Sequence, residues 1–198
     1  MIDFLIAIDR KLLIFINSWH EPWLDTVMVS LTNGLAWSPL FLIVIGAIIY
    51  KFRWQSIAML VFIAIVIILC DRISAGLIKP WVGRIRPSHE PDLADLLHIV
   101  NGYRGGIFSF VSSHAANAFG VATFLWLVLR KNFNWIWIMF IWAAIFSYTR
   151  IYLGVHYPFD VLGGGVLGAL IGLLVYKIGR VMPGKLSPIP AAAEPPAS

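Results

Sequence analysis

Five stretches of the chain are apolar for long enough to cross a membrane as helices, and most of the charged residues gather between them or near their ends. They run roughly from Ala36 to Tyr50, Gln55 to Ile78, His114 to Leu129, Phe133 to Tyr148 and Phe159 to Tyr176. A hydrocarbon core of about 30 Å takes roughly 20 residues of helix. The first stretch is short on that measure and is expected to extend back through Trp23 to Leu35. An irregularity is expected near Asn33, Gly34 and Pro39, because proline disturbs a helix interior but suits a first turn. Ahead of them, Phe4, Leu5, Ile8, Leu12, Phe15 and Ile16 recur at helical spacing with Asp9, Arg10 and Lys11 between, the pattern of an amphipathic helix lying in the interface. The expected fold is therefore all-α: a polytopic membrane bundle of about five transmembrane helices plus an N-terminal interfacial helix, with six spans as the alternative.

Composition agrees with that reading. Of 198 residues, 60% are hydrophobic and 13% charged, which suits one membrane domain, here assigned to residues 1–185 with a core at 55–176. The Pro- and Ala-rich residues 186–198 cannot bury a core and are read as a disordered tail. The N-terminus lacks the basic start, uninterrupted apolar middle and cleavage site of a signal peptide, so it is expected to stay attached. The single cysteine, Cys70, has no partner for an internal disulfide. Gly164, Gly168 and Gly172 recur every fourth residue in the last span and suit close helix packing.

Charge sets the orientation. If the five spans alternate, Lys51, Arg53, Arg130, Lys131, Lys177, Arg180 and Lys185 share one face, expected to be cytoplasmic along with the C-terminus. Lys79, Arg84, Arg86, Arg104 and Arg150 then lie on the outer face, and a role in topology does not explain them. They belong to three polar clusters at helix ends: Lys79 to Pro87, Phe110 to Asn117, and Tyr148 to Asp160.

Singly, each cluster has a bland reading. The basic side chains of the first can reach lipid headgroups, Ser112 or Ser113 can cap a helix, and His156 and Asp160 suit a hydrogen-bonded pair four residues apart. Together they say more. Lys79, Arg86 and Arg150 form a ring of positive donors, and helix N-terminal amides around Ser112 to His114 add partial positive charge, as a phosphate requires. His114 and His156 supply a nucleophile and an acid, and Asp160 suits the second ring nitrogen of His156.

The pattern resembles the type 2 phosphatidic acid phosphatase superfamily, which also includes the soluble vanadium haloperoxidases. Its first motif, Lys, six residues, Arg-Pro, is matched by Lys79, Arg86 and Pro87. Its third, Ser-Arg, five residues, His, three residues, Asp, is matched by Arg150, His156 and Asp160, with Thr149 in place of the serine. In its second, Pro-Ser-Gly-His, Ser112 and His114 match while Val111 and Ser113 depart. The resemblance covers about Gln55 to Tyr176. It implies a phosphoric ester or diphosphate hydrolase that needs neither metal nor cofactor. Lys79, Arg86, Arg150, Ser112 and the Ser113 amide would hold the phosphoryl oxygens, while His156 attacks phosphorus and His114 protonates the leaving oxygen.

The expected partners are the bilayer and a lipid phosphate, not nucleic acid. Undecaprenyl pyrophosphate is the favoured substrate because the chain is small, with phosphatidylglycerophosphate, phosphatidic acid and lipid A phosphates as alternatives. A transporter or channel is the rival from another class, against which the charges stand at helix ends and not near the middle of a span. A metal site fits poorly, since His20, His89, His98, His114 and His156 lack ligand-like spacing. The spans disfavour a haloperoxidase.

Overall fold

A computed structural model describes residues 2–182. The residues expected to form a disordered tail, 186–198, and the basic Lys185 lie outside the described residues.

The described residues are helical, joined by turns and loops. Helix α1 (Ile2–Asn17) precedes α2 (Pro22–Thr32) and α3 (Ser38–Phe52). The expected irregularity separates the last two: Asn33 leaves helical geometry and its side chain accepts from the Leu35 amide, capping the single turn Gly34–Trp37. Helix α4 occupies Gln55–Val82, α5 Ser113–Leu129, α6 Ile138–Tyr152 and α7 Pro158–Val181. Among the described residues, four helical stretches are long and apolar enough to cross a membrane: Gly34–Phe52, Gln55–Val82, Asn134–Tyr152 and Pro158–Val181.

The third expected span, α5, has 17 residues and is the central helix, with ten of its residues buried by its neighbours. Shelter by protein, rather than length, suits it to the middle of the bundle. It packs most closely on α7. A side-chain carbon added to Gly168 of α7 would lie 2.1 Å from the Ala116 carbonyl oxygen of α5, so only glycine permits this approach. Val66, Val121, Phe124, Leu125 and Met139 fill the core around the contact. The chain folds as the polytopic helical bundle that the hydropathy pattern predicts.

Helix α1 is not among the long apolar stretches, and at 16 residues it covers about 24 Å. Its buried stripe is Asp9, Leu13 and Asn17, spaced by one helical turn, while Phe4, Leu5, Leu12 and Phe15 face outward. Leu13 packs with Leu93, Leu97, Ile151 and Tyr157. The Asn17 amide donates to the carbonyls of Tyr152 at 2.7 Å and His98 at 3.0 Å, tying α1 to the end of α6.

Candidate active site

The three polar clusters meet at one end of the bundle. Near the end of α4 the backbone widens into a π-type turn over Arg72–Ile78, in which the Lys79 amide donates to the Ser74 carbonyl. Such turns recur at functional positions, and this one brings Ser74 against α5, where its hydroxyl donates to the Ser113 hydroxyl at 2.8 Å. Lys79 follows directly.

Beyond α4 the chain is extended. Ile85 pairs with Phe108, the Arg86 amide donates to the Ile107 carbonyl at 2.9 Å, and the Ser109 amide donates to the Arg84 carbonyl at 2.8 Å. Alternate side chains of an extended segment share a side, so Arg84 and Arg86 turn inward and Ile85 outward. Arg86 Nε donates to the Phe108 carbonyl at 3.1 Å, while its buried Nη1 has no partner among the described residues. The loop lies against this guanidinium at Gly105, where φ is +66° and an added side-chain carbon would sit 2.3 Å from Nη1. The positive φ favours glycine at this position.

Arg150, 2% exposed, projects from the last turn of α6. Its Nη1 donates to the Thr32 hydroxyl at 2.8 Å and its Nη2 to the Tyr103 hydroxyl at 3.1 Å, leaving the buried Nε without a partner. The departure at Thr149 has a local role: its hydroxyl donates to the Phe146 carbonyl at 2.7 Å and lies 3.1 Å from the Thr32 hydroxyl that holds Arg150.

The histidines lie between these cations. His156, 1% exposed, precedes α7, and its Nδ1 is 3.4 Å from Asp160 Oδ2. The same carboxylate oxygen accepts from the Tyr157 amide at 2.9 Å, which fixes it at the start of the helix. Burial, and then the charges of Arg86, Lys79, Arg150 and Arg84, hold the His156 imidazole well below its ordinary pKa. It therefore stays neutral near pH 7. His114 lies within electrostatic reach of Arg150, His156, Lys79 and Arg86, and its ring stacks on Phe146 at 5.3 Å. Below it a cavity of about 450 Å³ descends between α3, α4, α5 and α6, lined by Phe41, Ile45, Val121, Leu125 and Trp142.

Ser112 is the N-cap of α5, with its oxygen 3.4 Å from the Ala115 amide, and its own amide donates to the Asp160 carbonyl at 3.0 Å. The starts of α5 and α7 are thus joined. All eight residues singled out from the sequence (Lys79, Arg86, Ser112, Ser113, His114, Arg150, His156 and Asp160) fall at this end of the bundle. His89 and His98 do not join the group: His89 Nδ1 pairs with the Ser88 hydroxyl, and His98 stacks on His20 and pairs with Asp25.

Three participants have no place in the sequence motifs. Arg84, one of the outer-face basic residues, donates to Asp160 Oδ1 and to Asp9 Oδ2, both at 2.8 Å, and its guanidinium lies 3.7 Å over the centre of the Tyr157 ring. Thr32 and Tyr103 hold Arg150. The alternation Arg-Ile-Arg at 84–86 was a readable sign for the first, whereas the other two come from distant segments without a local signal.

A helical bundle that gathers lysine and arginine around a buried histidine–aspartate pair at one end defines a membrane phosphoric-ester hydrolase. The chain belongs to the PAP2 superfamily, the type 2 phosphatidic acid phosphatases, which its residues 56–181 match. Among its relatives is a lipid A 4′-phosphatase of Bacteroides thetaiotaomicron, 41% identical over 195 residues, covering 96% of this chain and 86% of the relative. A transmembrane phosphatidylglycerolphosphate phosphatase of Bacillus subtilis has a similar solved structure, with a TM-score of 0.64 and 26% identity over 89% of this chain and 86% of that one. An undecaprenyl-diphosphatase of Sulfolobus acidocaldarius is 39% identical over 72 residues, which is 36% of this chain and 34% of that protein.

Proposed function

We propose that this chain removes a phosphate from an acylated membrane glycolipid of the lipid A type through a phosphohistidine intermediate, acting on the outer face of the membrane. The observation that carries the chemistry is the buried His156, with Nδ1 toward Asp160 and four basic side chains around it. With Nδ1 turned to Asp160, Nε2 is the nitrogen left to attack phosphorus. Lys79, Arg86 and Arg150, with Ser112 and the Ser113 amide, take up the charge that develops on the phosphoryl oxygens. As the nitrogen–phosphorus bond forms, the bond from phosphorus to the lipid oxygen breaks, and that oxygen takes a proton from His114. Water then attacks phosphorus, giving its proton to His114. The nitrogen–phosphorus bond breaks and inorganic phosphate leaves.

Two considerations support the substrate class. The lipid A 4′-phosphatase relative aligns along nearly the whole chain, whereas the undecaprenyl-diphosphatase match spans about a third of it, so the preference for undecaprenyl pyrophosphate drawn from size alone gives way. The apolar cavity beneath His114 suits a hydrocarbon chain of the leaving lipid. Phosphatidylglycerophosphate is the second reading, favoured by the Bacillus subtilis structure. The basic residues at the opposite helix ends, among them Lys51, Arg53, Arg130 and Lys131, support the outer-face reading.

Phosphate release in detergent micelles from lipid A, phosphatidylglycerophosphate, phosphatidic acid and undecaprenyl pyrophosphate tests the reading. Lipid A should give the highest kcat/KM. Higher turnover of undecaprenyl pyrophosphate would restore the substrate preferred from the sequence, and no release from any of the four would overturn the proposal.

A further inference from the structure

Asp9 is an unexpected residue to find buried. It belongs to an N-terminal helix outside residues 56–181, the part that matches the family, and its carboxylate is fully buried in a predominantly apolar protein. Burying a carboxylate is costly unless it is paired and hydrogen-bonded, and Asp9 is both. Its Oδ2 accepts from Arg84 at 2.8 Å and its Oδ1 from the Phe159 amide in the first turn of α7 at 2.9 Å. The other arm of the Arg84 fork donates to Asp160 Oδ1 at 2.8 Å, and Asp160 Oδ2 lies 3.4 Å from His156 Nδ1. Asp9, Arg84, Asp160 and His156 thus form one continuous chain of contacts.

We propose that Asp9 is a positioning residue for the nucleophile: through Arg84 it orients Asp160 and balances its charge, which makes the N-terminal helix a working part of the active site. This rests on the phosphohistidine reading of His156.

Each link has a physical purpose. Asp160 must hold the His156 ring with one nitrogen inward, and the Tyr157 amide fixes only its Oδ2. Arg84 takes the second oxygen with a planar fork. An arginine facing Asp160 alone would draw its negative charge away from His156. Asp9 neutralises Arg84, leaving the charge of Asp160 for the imidazole. The Phe159 amide holds Asp9 to the same turn of α7 that carries Asp160, so the carboxylates cannot drift apart. The Tyr157 ring under Arg84 closes the remaining side.

A structural anchor for α1 would also explain an Asp9–Arg84 pair, and kinetics separates the two roles. Purified Asp9→Asn keeps an acceptor for the Phe159 amide and loses the charge opposite Arg84. Its kcat should fall about tenfold, the scale on which outer partners of a working imidazole act, with KM within twofold because Asp9 reaches the nucleophile only through Arg84 and Asp160. Asp9→Glu should recover at least a third of wild-type kcat. In an Arg84→Gln background the further change Asp9→Asn should cost less than twofold, since the path through Arg84 is already broken. Wild-type kcat in Asp9→Asn, a loss confined to KM or to thermal stability, or losses that multiply in the double variant would each overturn the proposal. Should Asp9→Asn fail to accumulate, Arg84→Lys provides the test: its ammonium keeps the charge without the fork, and unchanged kcat there refutes the relay. A wild-type protein that releases no phosphate from any lipid would sink the phosphatase reading instead, so the two failures are distinct.

Discussion

The closest helix contact lies directly behind the active site, which makes Gly168→Ala a sensitive probe of how the site is assembled. An added carbon would stand 2.1 Å from the Ala116 oxygen and 2.8 Å from both the Ala116 carbonyl carbon and the Gly120 nitrogen. These neighbours are backbone and cannot turn aside, and contacts below 3.0 Å essentially never occur, so α5 and α7 must part by about 1 Å. Overpacking of this kind costs about 1–3 kcal/mol, which leaves many proteins folded. The effect on catalysis should be larger. Helix α5 carries Ser113 and His114 with Ser112 as its cap, while α7 carries Asp160 with His156 just ahead of it, so a parting of the helices separates His114, the proposed acid, from His156, the proposed nucleophile. A misplacement of about 1 Å can cost roughly 10²-fold in rate. The expected result is a kcat/KM near 1% of wild type in the phosphate-release assay, with folded protein still recovered by size-exclusion chromatography. Gly46→Ala in α3, where an added carbon meets nothing within 4 Å, is the control and should keep full activity. Gly168→Ala with wild-type kcat/KM would show that the site does not depend on this approach.

Other outcomes follow from the same geometry. His156→Ala should abolish turnover while the protein still folds, and near-normal activity would remove it as nucleophile. Because the folded-state pKa of His156 is depressed, the unfolded chain binds a proton near pH 6.5 that the folded protein does not. Stability should therefore be fully present above about pH 6.5 and fall as pH drops toward the folded value, by up to about 1.4 kcal/mol per pH unit. The thermal midpoint of His156→Gln should fall less steeply between pH 6.5 and 5 than that of wild type; equal slopes would contradict the shift. Thr32→Val removes the acceptor for Arg150 Nη1, a charged hydrogen bond worth about 1.5–3 kcal/mol, and should lower kcat/KM by at least about tenfold if that energy is expressed in the transition state. Activity should survive EDTA and be blocked by vanadate, which mimics pentacoordinate phosphorus; loss on chelation with recovery on adding Mg²⁺ would contradict the fixed-cation scheme.

Local features of the sequence were sufficient for much of this fold. The apolar runs predict the spans to within a few residues at most ends, because a helix in lipid must satisfy its backbone internally and so reads as an uninterrupted apolar stretch. Asn33 and Pro39 marked the break between α2 and α3. The motif residues were also legible, being few, charged and expensive in an apolar chain. Thr32 and Tyr103 were not. Each is an ordinary residue locally and matters only because folding brings it to Arg150, 118 and 47 positions away.

Helix α1 was harder to read for a different reason. Its amphipathic pattern presents the apolar residues as the binding face and leaves Asp9 among the polar ones, as in a helix lying on a membrane. In the fold the protein-facing stripe is Asp9, Leu13 and Asn17, while Phe4, Leu5, Leu12 and Phe15 point away. Both observations are compatible once two surroundings compete for the helix. Lipid accepts apolar side chains as readily as a protein core does, so hydrophobicity no longer distinguishes inside from outside. Polar side chains have no partners in hydrocarbon and must turn toward the protein, where Asp9 meets Arg84 and Asn17 meets the carbonyls of Tyr152 and His98. In an apolar helix beside a membrane bundle, the polar positions are therefore the ones to read for contact. By that rule Asp9 points to Arg84, and Arg84 leads to Asp160 and His156.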